Sequence, residues 1–196
     1  MIAYVKGEFT ILTPSMVVVD VNGVGYELQI SLNTYSSISN AKDGRLFTYM
    51  HITENSHTLF GFFEKGEKEL FLQLISVSGV GATTARIMLS GLRPEEIKRA
   101  IIEGNTKQLE SVKGIGKKTA ERMIVDLKDK FGKISFGNVE LNISTLGASQ
   151  QQDALEALMS LGIGRSMADA ALKKIYLSNS DNLTLENTIK LALKNL

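Results

Sequence analysis

A chain of 196 residues with 43% hydrophobic content is long enough to bury one large core or two to three small ones. It has no cysteine, which excludes disulfides and thiolate metal sites. No apolar run approaches the ~20 residues of a membrane helix, and the N-terminus lacks the basic-then-apolar pattern of a signal peptide, so a soluble, cytoplasmic protein is expected. The net charge of +1 hides an asymmetry: residues 1–64 are net −3, residues 65–132 net +4 and residues 133–196 net 0. A basic middle segment can steer a polyanion locally, because fields act over a Debye length of about 8 Å.

The first segment, residues 1–63, reads as β. Met16–Val21 is β-branched, Asn22-Gly23 follows, and Tyr26, Leu28 and Ile30 then alternate with Glu27 and Gln29. Asn-Gly between two such runs predicts a tight hairpin, since both residues tolerate positive φ. Further strands are expected at 2–12, 45–52 and 57–63, and about five short strands in ~60 residues suggest a small closed barrel.

Residues 64–132 read as helical. Leu70, Phe71, Leu74 and Val77 share one face, Arg93-Pro94-Glu95-Glu96 is a helix start, and Ala120, Met123, Ile124 and Leu127 form a stripe. Residues 133–151, rich in Gly, Ser, Asn and Gln, are expected to be a flexible linker. Residues 152–196 return to helical patterning in three stripes. These are Ala154, Leu155, Leu158, Leu161; then Met167, Ala170, Ala171, Ile175; then Leu185, Ile189, Ala192, Leu193. The fold class expected is α+β multidomain.

The most informative feature is a repeat at an offset of 35 residues: Leu74–Ala85 against Leu109–Ala120. Leu, Ser, Val, Gly, Gly, Thr and Ala recur at matching places. Each copy is a helix, a Gly-apolar-Gly turn (Gly79-Val80-Gly81, Gly114-Ile115-Gly116) and a second helix. The apolar residue can plug the core, and the glycines admit unusual φ and close approach. The second helix then starts with unpaired amides and partial positive charge, a ready anion site. Lys117, Lys118 and Arg122 strengthen the second copy. Two such turns on one unit would grip two points of a nucleic-acid backbone, without reading sequence and with strong salt dependence. The bland alternative makes the glycines mere helix caps. A phosphate-loop ATPase is not expected, because Gly-x-x-x-x-Gly-Lys-Ser/Thr fails at Ser111 and Lys118. No cofactor, metal site or catalytic residue is expected: His51 and His57 lack ligating companions.

These hairpins resemble those of the RuvA family of bacterial Holliday-junction branch-migration proteins, and the likeness covers nearly the whole chain. It rests on Val24-Gly25-Tyr26-Glu27, Leu59-Phe60-Gly61-Phe62, Gly79-Val80-Gly81, Leu89-Ser90-Gly91-Leu92 and Gly114-Ile115-Gly116-Lys117-Lys118-Thr119-Ala120-Glu121-Arg122. The resemblance implies an OB-like barrel over 1–63, a tandem helix-hairpin-helix domain over 64–132 and a tethered, UBA-like three-helix bundle over 152–196. It also implies a homotetramer (one, or two sandwiching the DNA) on a four-way junction. A RuvB ATPase docked on the bundle near Leu158, Met159, Leu161 and Ile163 would be the motor, with a RuvC resolvase in the same complex.

The family's acidic pin falls at Glu54 and Asn55, so one of its two usual acids is missing; from the residues alone Glu54 reads as a solvated loop acid. Thr83 stands where the family often has lysine. Arg86, one turn on, is open to two readings, a compensating phosphate contact or a surface helix residue. The apolar stripe at 158–163 is likewise open to a reading as core. Two rival functions are a helix-hairpin-helix nuclease-type repair enzyme, which would need clustered carboxylates for a divalent metal, and a protein-interaction module without a DNA role.

Overall fold

The computed structural model describes residues 1–135, 146–178 and 184–194. The chain falls into an N-terminal and a C-terminal unit. In the first, β1 (Tyr4–Thr13), β2 (Met16–Val21), β3 (Val24–Ile30), β4 (Asp43–Ile52) and β5 (His57–Phe62) close a barrel in the order β1-β2-β3-β5-β4. The β2–β3 turn is the Asn-Gly hairpin, with φ of 53° at Asn22 and 87° at Gly23. Only β3 and β5 pair in parallel, at Gln29/Phe60 and Ile30/Gly61. A parallel pair needs a crossover, and α1 (Leu32–Ile38) followed by β4 provides it. Val17, Val19, Leu28, Ile30 and Leu46 fill the barrel.

Helix α1 is not legible as a helix in sequence. Leu32-Asn33-Thr34-Tyr35-Ser36-Ser37-Ile38 is poor in helix formers. Its surroundings hold it instead. Ser31 caps it by accepting from the Thr34 amide at 3.0 Å, and Ile38 is buried in the barrel core. Asn33 Nδ2 donates to the carbonyls of Leu89 and Leu92, and the Leu32 amide to Ser90 Oγ at 3.1 Å.

The helices α2 (Lys65–Ile75), α3 (Ala82–Gly91), α4 (Pro94–Glu103), α5 (Thr106–Glu110) and α6 (Lys117–Ser135) complete this unit. Leu70, Phe71, Leu74 and Val77 are all buried, as are Ala120, Met123 and Leu127, while Ile124 is half-buried. The helical core does not stop at the barrel. Phe60 and Phe62 on β5 belong to it, with ring centroids 5.1 and 5.0 Å from Phe71, and Tyr49 lies 5.7 Å from the same ring. Each such aromatic pair adds about 0.5–1.5 kcal/mol beyond its area burial. This joint ties the barrel to the helices as one body.

A buried carboxyl reinforces the joint. Glu67 on α2, only 4% exposed, accepts from Ser31 Oγ and, at 2.6 Å, from Thr34 Oγ1. Thr34 Oγ1 in turn accepts from the Phe63 amide at 3.1 Å. Burial pushes the Glu67 carboxyl above its ordinary value; the two hydroxyls pull it down, and the charge of Glu64 adds to the rise.

In the C-terminal unit α7 (Leu146–Ser160), α8 (Arg165–Ser178) and α9 (Leu185–Lys194) pack around Ala154, Leu155, Leu158, Ala168, Ala171, Leu172, Ile175 and Ala192. Three expectations need correction. Met167 and Ala170 are exposed, and the buried stripe of α8 runs through Ala168, Ala171, Leu172 and Ile175. Leu161 lies past the end of α7 and is exposed, and so is Leu193 on α9. Alanines lie on both faces of α8, so hydrophobic periodicity alone does not fix its phase. Helix occupies both ends of the stretch 133–151 expected as a linker, since α6 runs to Ser135 and α7 starts at Leu146. Residues 136–145 of that stretch lie outside the described residues.

The raised pKa of Glu67 carries a sign. Between its ordinary value, about 4.3, and the raised one, the folded protein holds a proton that the unfolded chain has released. Its contribution to stability is therefore complete below that window and is lost as pH rises through it. Urea midpoints of wild type and Glu67→Gln measured against pH should diverge in favour of the glutamine as pH rises from 4 to 7. A pH-independent difference would contradict the assignment.

Candidate nucleic-acid interface

The two repeat copies fold into two matching turns, bond for bond. In the first, the Val77 amide donates to Leu74 O at 3.1 Å, Val80 to Val77 O at 3.0 Å and Ala85 to Gly81 O at 2.9 Å. In the second, Val112 donates to Leu109 O at 3.2 Å, Ile115 to Val112 O at 3.1 Å and Ala120 to Gly116 O at 2.9 Å. Gly79 and Gly114 take φ of 95° and 97°, outside the region open to ordinary residues. Gly81 is the N-cap of α3, with φ −83° and ψ 167°.

Val80 and Ile115 are only 4% and 5% exposed, and both belong to the single helical core. Their amides are used inside the turns. Expected as part of the binding turn, they are plugs that hold the turn, not surfaces a ligand can touch. The amides ahead of the first intrahelical bond are those of Gly81, Ala82, Thr83 and Thr84 in one copy and Gly116, Lys117, Lys118 and Thr119 in the other, the groups that helix geometry leaves without an internal acceptor. Thr83, Lys117, Lys118 and Arg122 are all exposed. This is an anion-binding geometry made twice.

Arg86 is half-buried and lines the cleft beside the first turn. Its Nη1 donates to Ser15 O and to Gln29 Oε1, both at 2.9 Å, so it is a strut from α3 to the barrel. Sequence could not show this, because the partners lie 71 and 57 residues away. Arg122 Nη1 donates to Ser78 O at 3.4 Å, in the other hairpin. Thr84 and Thr119, which recur within the repeat, escaped notice as functional residues. A methyl built on Gly79 would meet Thr119 Oγ1 at 3.7 Å, and one on Gly114 would meet Thr84 Cγ2 at 3.6 Å. Each turn therefore lies beside the threonine of the opposite copy.

Glu54 and Asn55 sit, exposed, at the tip of the β4–β5 turn. Thr53 and Ser56 close it: the Thr53 amide donates to Ser56 O at 2.9 Å and the Ser56 amide to Thr53 Oγ1 at 3.1 Å. A cleft of about 560 Å³ joins this turn to the first hairpin, lined by Thr53, Ser56, His57, Gly81, Thr83 and Arg86 among others. In the C-terminal unit, Leu158 is fully buried and Ile163 half-buried, leaving Met159 (43% exposed) and Leu161 (61%) as the apolar surface among the four residues expected there.

Twin glycine turns fused in one helical core and seated on a closed five-stranded barrel define a tandem helix-hairpin-helix protein. Comparison with known families agrees segment by segment. Residues 1–61 match the RuvA N terminal domain, residues 71–129 the SAM-like helix-hairpin-helix tandem and residues 149–196 the RuvA C-terminal domain. Among curated relatives, the Cytophaga hutchinsonii protein is 44% identical over 99% of both chains. That of Amoebophilus asiaticus is 46% identical over 99% of this chain and all of its own, and that of Christiangramia forsetii 45% identical over the full length of both. All three are named Holliday junction branch migration complex subunit RuvA. The chain belongs to the RuvA family.

A β-carbon on Gly79 or Gly114 would find ordinary contacts, so the backbone and not crowding decides the effect of substitution. Gly79→Ala and Gly114→Ala should each cost about 1–3 kcal/mol from the disfavoured φ alone. Chemical unfolding reads this directly, and a neutral result at either site would contradict the strained-turn geometry.

Proposed function

We propose that this chain is a non-catalytic subunit that binds four-way junction DNA by its backbone, independently of sequence, and recruits a RuvB ATPase for branch migration in recombination and repair. The observation that carries the reading is the duplicated turn: two sets of helix-start amides without internal acceptors, fixed in one core, can take two phosphates at a set separation. The names of the full-length relatives support the junction as ligand and a branch-migration complex as setting.

In this reading residues 1–63 carry the pin, 64–132 the DNA grip, 133–151 the tether and 152–196 the dock for RuvB. Gly79, Gly81 and Thr83, with Gly114, Gly116, Lys117, Lys118 and Arg122, contact DNA backbone. Glu54 repels phosphates at the junction centre, and with Asn55 beside it each pin carries one charge instead of two. Met159 and Leu161 meet RuvB, with Leu158 and Ile163 supporting them from within the bundle. A homotetramer, alone or as a pair enclosing the DNA, places four pins around one centre, with a RuvC resolvase in the same cytoplasmic complex. The nuclease reading has no comparable support: the relatives are named as branch-migration subunits, and among the described residues no group of three or more His, Asp or Glu is placed to hold a metal.

Replacing Lys117 and Lys118 together by alanine should weaken junction binding at every sequence and flatten its salt dependence, each lost phosphate contact removing about 0.9 from the log–log slope. Titrations of labelled four-way junction and linear duplex across a salt series, with Mg²⁺ present, test this. The reading requires preference for the junction, a reduced slope in the variant and intact DNA strands; an unchanged slope, equal affinity for both DNAs, or cleavage would overturn it.

A further inference from the structure

The repeat is matched in backbone but lopsided in charge. Where the second copy has Lys117 and Lys118, the first has Ala82 and Thr83, and where it has Arg122, the first has Ile87. The one cation of the first copy's helix, Arg86, has its Nη1 held by the barrel at Ser15 and Gln29. The first turn therefore has one cation from its own helix, Arg86, with its Nη1 held by the barrel, where the matching places of the second copy carry three.

Helix α6 supplies a second. Thr119 faces Gly79 across the interface between copies. Arg122 lies three residues further on, hence on the same face of the helix. Its guanidinium reaches the first hairpin at Ser78 O. A guanidinium has five donors in a fixed planar fork; one is held by the carbonyl, and the side chain is exposed, so others remain for an incoming oxygen.

We propose that Arg122 belongs functionally to the first hairpin, not to its own: reaching Ser78, it adds a positive charge to the Gly79–Thr83 turn beside that of Arg86. The two hairpins are then coupled, because the helix that opens the second also completes the first. This rests on the reading of both turns as phosphate sites. It assigns Arg122 to a turn 44 residues away in sequence, where proximity along α6 would group it with Lys118.

A mutant cycle in the full-length protein separates the possibilities, with junction affinity and salt slope as readouts. Arg122→Ala should lower affinity on the order of ten-fold and reduce the salt slope by about 0.9. Thr83→Lys puts a charge at the first turn directly. Its gain should be several-fold larger in the Arg122→Ala background than in wild type, and the same as wild type in the Lys117→Ala/Lys118→Ala background. In the free protein, Arg122→Ala should move the backbone amide resonances of Ser78–Gly81 and leave those of Gly114–Gly116 in place. If the Thr83→Lys gain is equal in the Arg122→Ala and wild-type backgrounds, or if only the second hairpin's resonances move, the assignment of Arg122 fails. If the double lysine variant also keeps its full salt slope, the failure lies with the phosphate-site reading itself.

Discussion

The burial of Val80 and Ile115 in one continuous core is the constraint on which the interface depends. A glycine turn on a mobile loop would offer amides in no fixed direction. Here each turn is nailed by its middle side chain, closed by a hydrogen bond from that residue's amide, and flanked by a threonine of the other copy. The helix-start amides are therefore fixed in place within the fold, and a ligand bound there would meet less ordering cost. The same core extends through Phe71 to Phe60 and Phe62, which makes the barrel and its β4–β5 turn part of the same rigid frame.

Charge is distributed over this frame by task. The second hairpin brings its own lysines. The first shares Arg86 with the barrel, and Arg122 approaches from the neighbouring copy. The acid at the β4–β5 tip lies in the net-negative segment of the chain, the lysines in the net-positive one. In the proposed function, a backbone-gripping surface beside a repelling tip would let a protein of near-neutral total charge hold a polyanion while pushing on its centre.

Much of this was legible in the residues. The barrel strands announced themselves through β-branched alternation and the Asn-Gly turn, and the hairpins through a repeat that showed both the glycines and the apolar plugs. What escaped has physical reasons. Helix α1 is made of residues with weak helical preference and exists because Glu67, Leu89 and the barrel core hold it. The phase of α8 was lost because alanine suits a buried and an exposed face equally. The tie of Arg86 to the barrel is not legible because its acceptors, in the β1–β2 turn and on β3, are distant in sequence. Thr84 and Thr119 stood in plain view inside the repeat, but only the crossed packing of the copies shows that each lies beside the turn of the other.

Backbone amide hydrogen exchange of the full-length protein, free and bound to an immobile four-way junction, addresses the central idea most directly. Slowed exchange concentrated at Gly81–Thr83 and Gly116–Lys118 is the predicted outcome. Unchanged exchange at both turns, with protection by DNA elsewhere on the surface, would contradict it.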